Sequence, residues 1–244
     1  MKTVQFLSNS PQIDNIVKGL TLTKSLFVSS LLYGERDTGK RTLIKELFPH
    51  TAYVNAENQE ELHNALENHT ELVIYNFEAL LNFETLNFEN RRIIAIANHI
   101  ENSQKVKQKF AFIYRMPNLE EREDLTLLIE YFQNETQKDL ILNYPIQLDI
   151  EKLDLSENIK SLKASLYRQL IHKTLNNDEI EEILYNYLFE HIEGNNAYRE
   201  YLGLYEIPLL KAGIKKYKSQ LKLSAVLGLN RNTLRKKIQE HGLD

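Results

Sequence analysis

The eight residues GERDTGKR, Gly34 to Arg41, set Gly34, Gly39 and Lys40 at the G-x-x-x-x-G-K spacing of a phosphate-binding loop. Such a loop wraps phosphate oxygens with backbone amides, here those around Thr38 and Gly39. The following helix adds positive potential at its N-terminus, and the lysine reaches the terminal phosphates. A second group stands near the other end of the chain, where Asn230, Arg231, Asn232, Thr233, Arg235 and Lys236 lie within seven residues. Arginine can take guanine bidentately, asparagine can take adenine, and lysine binds phosphate as a charge. This group therefore suits double-stranded DNA, against the plainer reading of a solvated basic helix hairpin.

Other chemistry is poorly represented. There is no cysteine, which excludes disulfides, thiolate zinc sites and cysteine nucleophiles. The seven histidines show no paired ligand spacing, and the run Glu120, Glu121, Arg122, Glu123, Asp124 reads as a solvated helix face rather than a metal site. No nucleophile-elbow motif is present.

The loop needs a strand before it and a helix after it, and the first half of the chain alternates such elements. Apolar runs at Leu26–Leu32, Ala52–Asn55, Leu72–Asn76, Phe110–Tyr114 and Ile146–Leu148 predict strands, with helical patterns such as Thr42–Phe48 and Phe88–Ile100 between them. That alternation predicts a parallel sheet covered by helices. From Leu153 onward the spacing is helical, as in Ile180, Ile183, Leu184, Tyr187 and Leu188, with a loop at Glu193–Asn196.

In the tail, Ile207, Leu210, Ile214 and Tyr217 form one apolar stripe. A short helix over Gln220–Leu227 follows, with Leu221, Ala225 and Val226 available to the core, and Gly228 ends it. Asn230 is placed to cap the amide of Thr233, and Leu229 to staple against Leu234. Leu234 and Ile238 face inward on the last helix, leaving Arg231, Asn232, Arg235 and Lys236 outward. Two helices joined by a tight glycine turn, the second basic at its start, are what a major-groove reader needs.

Charge follows the same division. The whole chain carries a formal −4, yet residues 206–244 hold nine basic residues against three acidic ones, leaving 21 basic and 31 acidic residues before them. A basic module sits on an acidic body. The N-terminus lacks a secretory pattern and no stretch reaches membrane-spanning length, so a cytoplasmic protein without a membrane partner is expected.

The stretch LSAVLGLNRNTLRKKIQEHGLD resembles the C-terminal helix-turn-helix of Fis and of NtrC-type enhancer-binding regulators. It carries Ala225, Leu227, Gly228, Arg231, Thr233, Leu234, Lys237 and Gly242 where that pattern has its marked residues. The resemblance implies DNA contacts from Asn230, Arg231, Thr233, Arg235 and Lys236, and a dimer formed through the module's first helix. Earlier, FLSNSPQIDNIVKGL with GERDTGK is similar to the opening of the NtrC-family AAA+ domain; MPNLEEREDL and YPIQLDIEKLDLSENI are similar to its later regions. GNNAYRE, with Gly194, Asn195, Arg199 and Glu200, resembles a stretched second sensor and would make Arg199 a phosphate sensor.

Departures from that family pattern matter for chemistry. Asp37 brings a carboxylate toward the phosphates, and Arg41 replaces an acidic or hydroxyl residue near the metal. The apolar strand that should close on Asp-Glu offers Asn76 and Phe77, with Glu78 a poorly placed substitute. NAENQEELHNALENHTE has no sigma-contacting GAFTGA sequence and little room for that loop, and no receiver domain is expected.

The expectation is an α/β chain: a degenerate AAA+ P-loop parallel sheet over residues 1–150, a helical lid over 151–203, and an all-α Fis-type helix-turn-helix over 204–244. Its function is that of a sequence-specific DNA-binding regulator that neither hydrolyses ATP nor remodels sigma-54 polymerase. It acts as a homodimer or higher homo-oligomer. For Gly34, Thr38, Gly39 and Lys40 two outcomes stay open, a relic turn without ligand or ATP or ADP bound without hydrolysis. The alternatives are a nucleotide-gated switch or ATPase, and an adaptor carrying a protein partner to DNA. No metal site is expected.

Overall fold

A computed structural model describes residues 6–80, 82–100, 103–142, 144 and 146–243. The chain forms two compact units, Met1–Thr174 and Leu175–Asp244.

The first unit is built on five parallel strands: β1 (Ser30–Tyr33), β2 (Ala52–Asn55), β3 (Glu71–Tyr75), β4 (Arg92–Ala97) and β5 (Phe112–Arg115), in the order β2-β3-β4-β1-β5. Its helices are α1 (Pro11–Leu26), α2 (Lys40–Leu47), α3 (Gln59–Asn68), α4 (Ser103–Lys109), α5 (Leu125–Asp139) and α6 (Ile159–Thr174). Alternate strand residues serve opposite faces, as the pleat requires. Leu31, Leu72, Ile74, Ile93 and Ala95 pack with Leu62 and Leu66 of α3 and Val106 of α4. Leu32, Val73, Ile94 and Ile96 pack with Ile13, Ile16 and Leu20 of α1 and with Leu43 and Ile44 of α2. A further apolar group joins Leu128, Ile129 and Phe132 of α5 to Leu162 and Leu166 of α6.

Two expected elements are corrected. Phe88–Ile100, read as helical, contains β4, whose six residues are all buried. Its run of isoleucines is the signature of a strand covered on both faces, which periodicity alone cannot separate from a buried helix. Ile146–Leu148 forms no strand; Ile146 is buried against α5, where Gln133 Nε2 donates to its carbonyl. The run from Leu26 is also shortened, because α1 continues to Leu26 before β1 begins at Ser30.

The strand order has a consequence for the site. From β1 the chain crosses to the β2 edge and returns through β3 to β4, then passes to β5 on the other side of β1. Loops at the carboxyl ends of β1 and β4 therefore part, and the crevice between them is where open α/β sheets take ligands.

The second unit is helical: α7 (Asn177–His191), α8 (Ala197–Tyr217), α9 (Gln220–Leu227) and α10 (Arg231–Glu240). A capping box between Asn176 and Glu179 starts α7, and the expected loop around Gly194, at φ 79°, separates it from α8. Leu210, Leu223, Leu234 and Ile238 make the small core that joins α8, α9 and α10. Among the described residues no helix is long and apolar enough to cross a membrane.

Candidate nucleotide cleft and nucleic-acid interface

The loop after β1 takes its shape from its glycines. Gly34, at φ 147°, runs so close to β5 that an added Cβ would meet the Met116 carbonyl oxygen at 2.5 Å. Gly39, at φ 94°, turns the chain into α2. Thr38 is fully buried, its hydroxyl donating to the Glu35 carbonyl at 3.0 Å. Lys40 is 5% exposed. Its ammonium donates to the carbonyls of Gly34, at 2.6 Å, and of Glu35, and reaches Asn98 Oδ1 at 3.4 Å. Burial lowers its pKa to about 8, against the pull of Glu78, Asp37 and Glu35 toward the charged form.

The far side of the loop is held by the start of α6, a contact that no local pattern announces. Asn158 Nδ2 donates to the Arg36 carbonyl at 3.0 Å, and the Ile159 amide donates to the Asp37 carbonyl at 3.0 Å. Asn158 Oδ1 also accepts from the Leu119 amide at 2.9 Å. Asp37 adopts a left-handed conformation, φ 57°, that aspartate tolerates better than most residues.

The loop borders a cleft of about 440 Å³ lined by Gly39, Lys40, Arg41, Tyr75, Asn76, Glu78 and Asn98, among others. A smaller apolar pocket of about 90 Å³, with Phe6, Leu7, Leu128 and Phe132, shares Gly39, Thr42 and Ile159 with it. A charged tail beside an apolar slot has the layout that a nucleotide's phosphates and base would need.

Hydrolysis would need a carboxylate free to act on water and a held divalent ion. Phe77 is buried in the core beside Phe83 and Phe110. Asn76 Nδ2 donates to Asn55 Oδ1 at 3.0 Å. Glu78, expected to be poorly placed, does line the cleft; one of its oxygens accepts from the Asn98 amide at 3.1 Å and the other from Asn98 Nδ2. Among the described residues no group of three or more histidines and acids could hold a metal ion.

Arg199 lies exposed in the first turn of α8, in the second unit, whereas Gly34, Thr38, Gly39 and Lys40 come together in the first. The acidic run at 120–124 is not wholly the solvated face expected. Arg122 and Asp124 are 4% and 2% exposed and pair bidentately at 2.7 Å. Burial pushes the Asp124 carboxyl up, but hydrogen bonds from Arg122 and Ser8 outweigh it and hold the group below its usual range.

In the second unit α9 ends at Gly228, φ 64°, with the Leu229 amide closing on the Ser224 carbonyl at 3.0 Å. Asn230 then caps α10, accepting from the Asn232 amide at 2.9 Å rather than from Thr233 as expected. Leu234 and Ile238 are buried as expected, with Leu227 and Leu243 packed against their group. The inward residues of α9 are not Leu221, Ala225 and Val226, which are exposed, but Leu223 and Ser224. Gly213 of α8 decides this by making room for the Leu223 side chain.

With that core fixed, Asn230, Arg231, Asn232, Thr233, Arg235 and Lys236 are all exposed over the cap and first turns of α10. Behind them Lys237 pairs with Glu206 of α8, and His241 Nε2 lies 3.2 Å from the same carboxylate. These contacts hold the Glu206 carboxyl below its usual range. They tie the C-terminal end of α10 to α8 and leave its N-terminal end exposed.

No family model matches the chain. NtrX from Brucella abortus in complex with ATP superposes with a TM-score of 0.53 at 14% identity, over 97% of this chain and 69% of that one. Its complex with ADP gives 0.53 and 14% over 97% and 68%. The chain therefore shares the mixed α/β fold of those structures, with a parallel five-stranded sheet and a helical C-terminal region. Within the chain, 70 residues are 43% identical to a Pseudomonas aeruginosa relative named "Putative Fis-like DNA-binding protein", 27% of this chain and 66% of that protein. The match thus spans just under two thirds of the relative's length.

Proposed function

We propose that this chain is a sequence-specific DNA-binding transcriptional regulator, with the AAA+ body in a supporting role. The observation that carries it is the exposed row Arg231, Asn232, Arg235 and Lys236, on a helix whose opposite side is locked by Leu234 and Ile238. A helix so held can enter the major groove with its first turns, while arginine and asparagine read base edges and lysine meets phosphate. The likeness to a protein named for DNA binding supports the reading.

Residues 204–244 act as the DNA module, 1–150 as the body and 151–203 as a lid, within which the boundary between compact units falls. The chain works as a homodimer or higher homo-oligomer. The resemblance puts the contact on the module's first helix, and an exposed apolar face on α7, with Ile180, Ile183, Leu184 and Tyr187, offers a second copy further area to cover. The body neither hydrolyses ATP nor remodels sigma-54 polymerase, since Asn76 and Phe77 replace the acids that hydrolysis uses.

A second reading is favoured by the cleft: the body binds ATP or ADP and the bound nucleotide biases DNA binding. Gly34, Thr38, Gly39 and Lys40 then hold phosphate, and Arg199 senses it.

Selection from a random duplex pool with the full chain tests the main reading. A two-fold symmetric site should be enriched, its half-sites about one helical turn apart, with affinity falling steeply as salt rises. A pool that emerges unchanged would remove the reading.

A further inference from the structure

In a phosphate-loop protein the magnesium ion that accompanies the nucleotide is held by a hydroxyl directly after the loop lysine and by an aspartate on a neighbouring strand. The residues present do not fit that ion. The residue after Lys40 is Arg41, and the residue after β3 is Asn76, whose amide is committed to Asn55. Glu78 has both oxygens engaged by Asn98.

A guanidinium stands there instead. Arg41 Cζ lies 3.9 Å from the centroid of the Tyr75 ring, and both residues line the cleft beside Lys40. Tyr75 is the last residue of β3, immediately before Asn76, so the ring holds the charge against the wall that would otherwise present the metal-facing carboxylate. Among the described residues the Arg41 side chain makes no hydrogen bond or ion pair, so its stacked face is used and its N–H edge is open. A guanidinium offers several donors in a fixed plane that matches phosphate oxygens, and it stays charged across the accessible pH range.

We propose that Arg41 takes the charge-neutralising place of magnesium, so that the cleft binds nucleoside di- or triphosphates without a divalent ion. The inference rests on the second reading above, that the cleft binds nucleotide. It also accounts for binding without turnover: a guanidinium neutralises phosphate charge but cannot carry and activate a water as a metal does. A magnesium-loaded nucleotide would bring a second cation toward Arg41, so the ion should weaken binding or leave it unchanged.

The test is calorimetric titration of the full chain with ATP and with ADP, once in EDTA and once in excess magnesium. The wild type should bind in EDTA at least as tightly as in magnesium. Arg41→Ala should lose about tenfold or more in EDTA, the scale of one charge-assisted hydrogen bond. The double variant Arg41→Thr, Asn76→Asp restores the usual metal ligands and should bind only with magnesium. Arg41 is exposed, so its removal leaves the core intact, and matching melting curves would confirm this. Wild-type binding that requires magnesium, or equal binding by wild type and Arg41→Ala in EDTA, overturns the inference and leaves nucleotide binding standing. No heat from the wild type in either buffer removes the nucleotide reading and the inference with it.

Discussion

Gly213→Ala is the smallest change that should disturb the DNA module without touching a DNA-facing residue. A Cβ at this position would lie 2.4 Å from Leu223 Cδ1 and 3.3 Å from Cδ2. Carbon atoms settle about 3.5–4.0 Å apart, so the overlap exceeds about 1 Å. Leu223 cannot swing away, because it is 1% exposed and packed with Leu210, Leu234 and Ile238. α9 must back off α8, at a cost of about 1–3 kcal/mol for overpacking. Leu223→Ala alone leaves a cavity and should cost about 2–5 kcal/mol. In the double variant the new methyl enters space that the leucine vacates, so the two costs should fall short of their sum by about 0.5–3 kcal/mol. Hydrogen exchange of peptides from α9 and α10 in the full chain reads these opening free energies directly. Wild-type protection in Gly213→Ala, or strict additivity in the double variant, would refute this packing.

Two further predictions concern pH. Burial lowers the Lys40 pKa to about 8, from the ordinary 10.5. Between those values the unfolded chain keeps a proton that the folded chain has released, so stability should rise with pH there; affinity for a phosphate ligand should fall, as the ammonium is lost. Melting curves and ATP titrations across that window check the opposed slopes, and Lys40→Met should abolish both. The Glu206 carboxyl is held below its usual range by Lys237 and His241. Its contribution, about 1 kcal/mol or less for partly exposed partners, is present above the ordinary carboxylate pKa and disappears as pH falls through the depressed value. Glu206→Gln should therefore loosen α10 at neutral pH, with exchange rates converging on wild type in acid.

Local signals in the sequence carried far in some places and failed in others for physical reasons. Gly34 and Gly39 announced their loop because φ values of 147° and 94° suit glycine alone, with Gly34 also pressed against the Met116 carbonyl. Leu234 and Ile238 announced the inner face of α10 through a spacing of four. β4 was misread because a strand buried on both faces has no alternation to distinguish it from a helix. Asn158 could not have been found locally, and the place of Glu78 in the cleft could not have been judged locally. Asn158 meets the loop from more than 120 residues away, and Glu78 lines the cleft just after Asn76, which turns left-handed at φ 55°. In α9 both candidate sides are apolar, and the inward one is chosen by Gly213, on another helix. The burial of Arg122 with Asp124 was masked by the glutamates around them, which do face solvent.

The claim that α10 reads DNA is tested most directly by duplex affinity against salt for the wild type and for the variant Arg231→Ala, Arg235→Ala, on a site recovered by selection. Both side chains are exposed and absent from the core group, so the fold should persist. Each arginine that meets a base edge should contribute about 1–3 kcal/mol of discrimination, and each that meets phosphate about one unit of the salt slope. The account predicts that the variant loses preference for the selected site and binds with a shallower salt dependence. Unchanged affinity, preference and salt slope would contradict it.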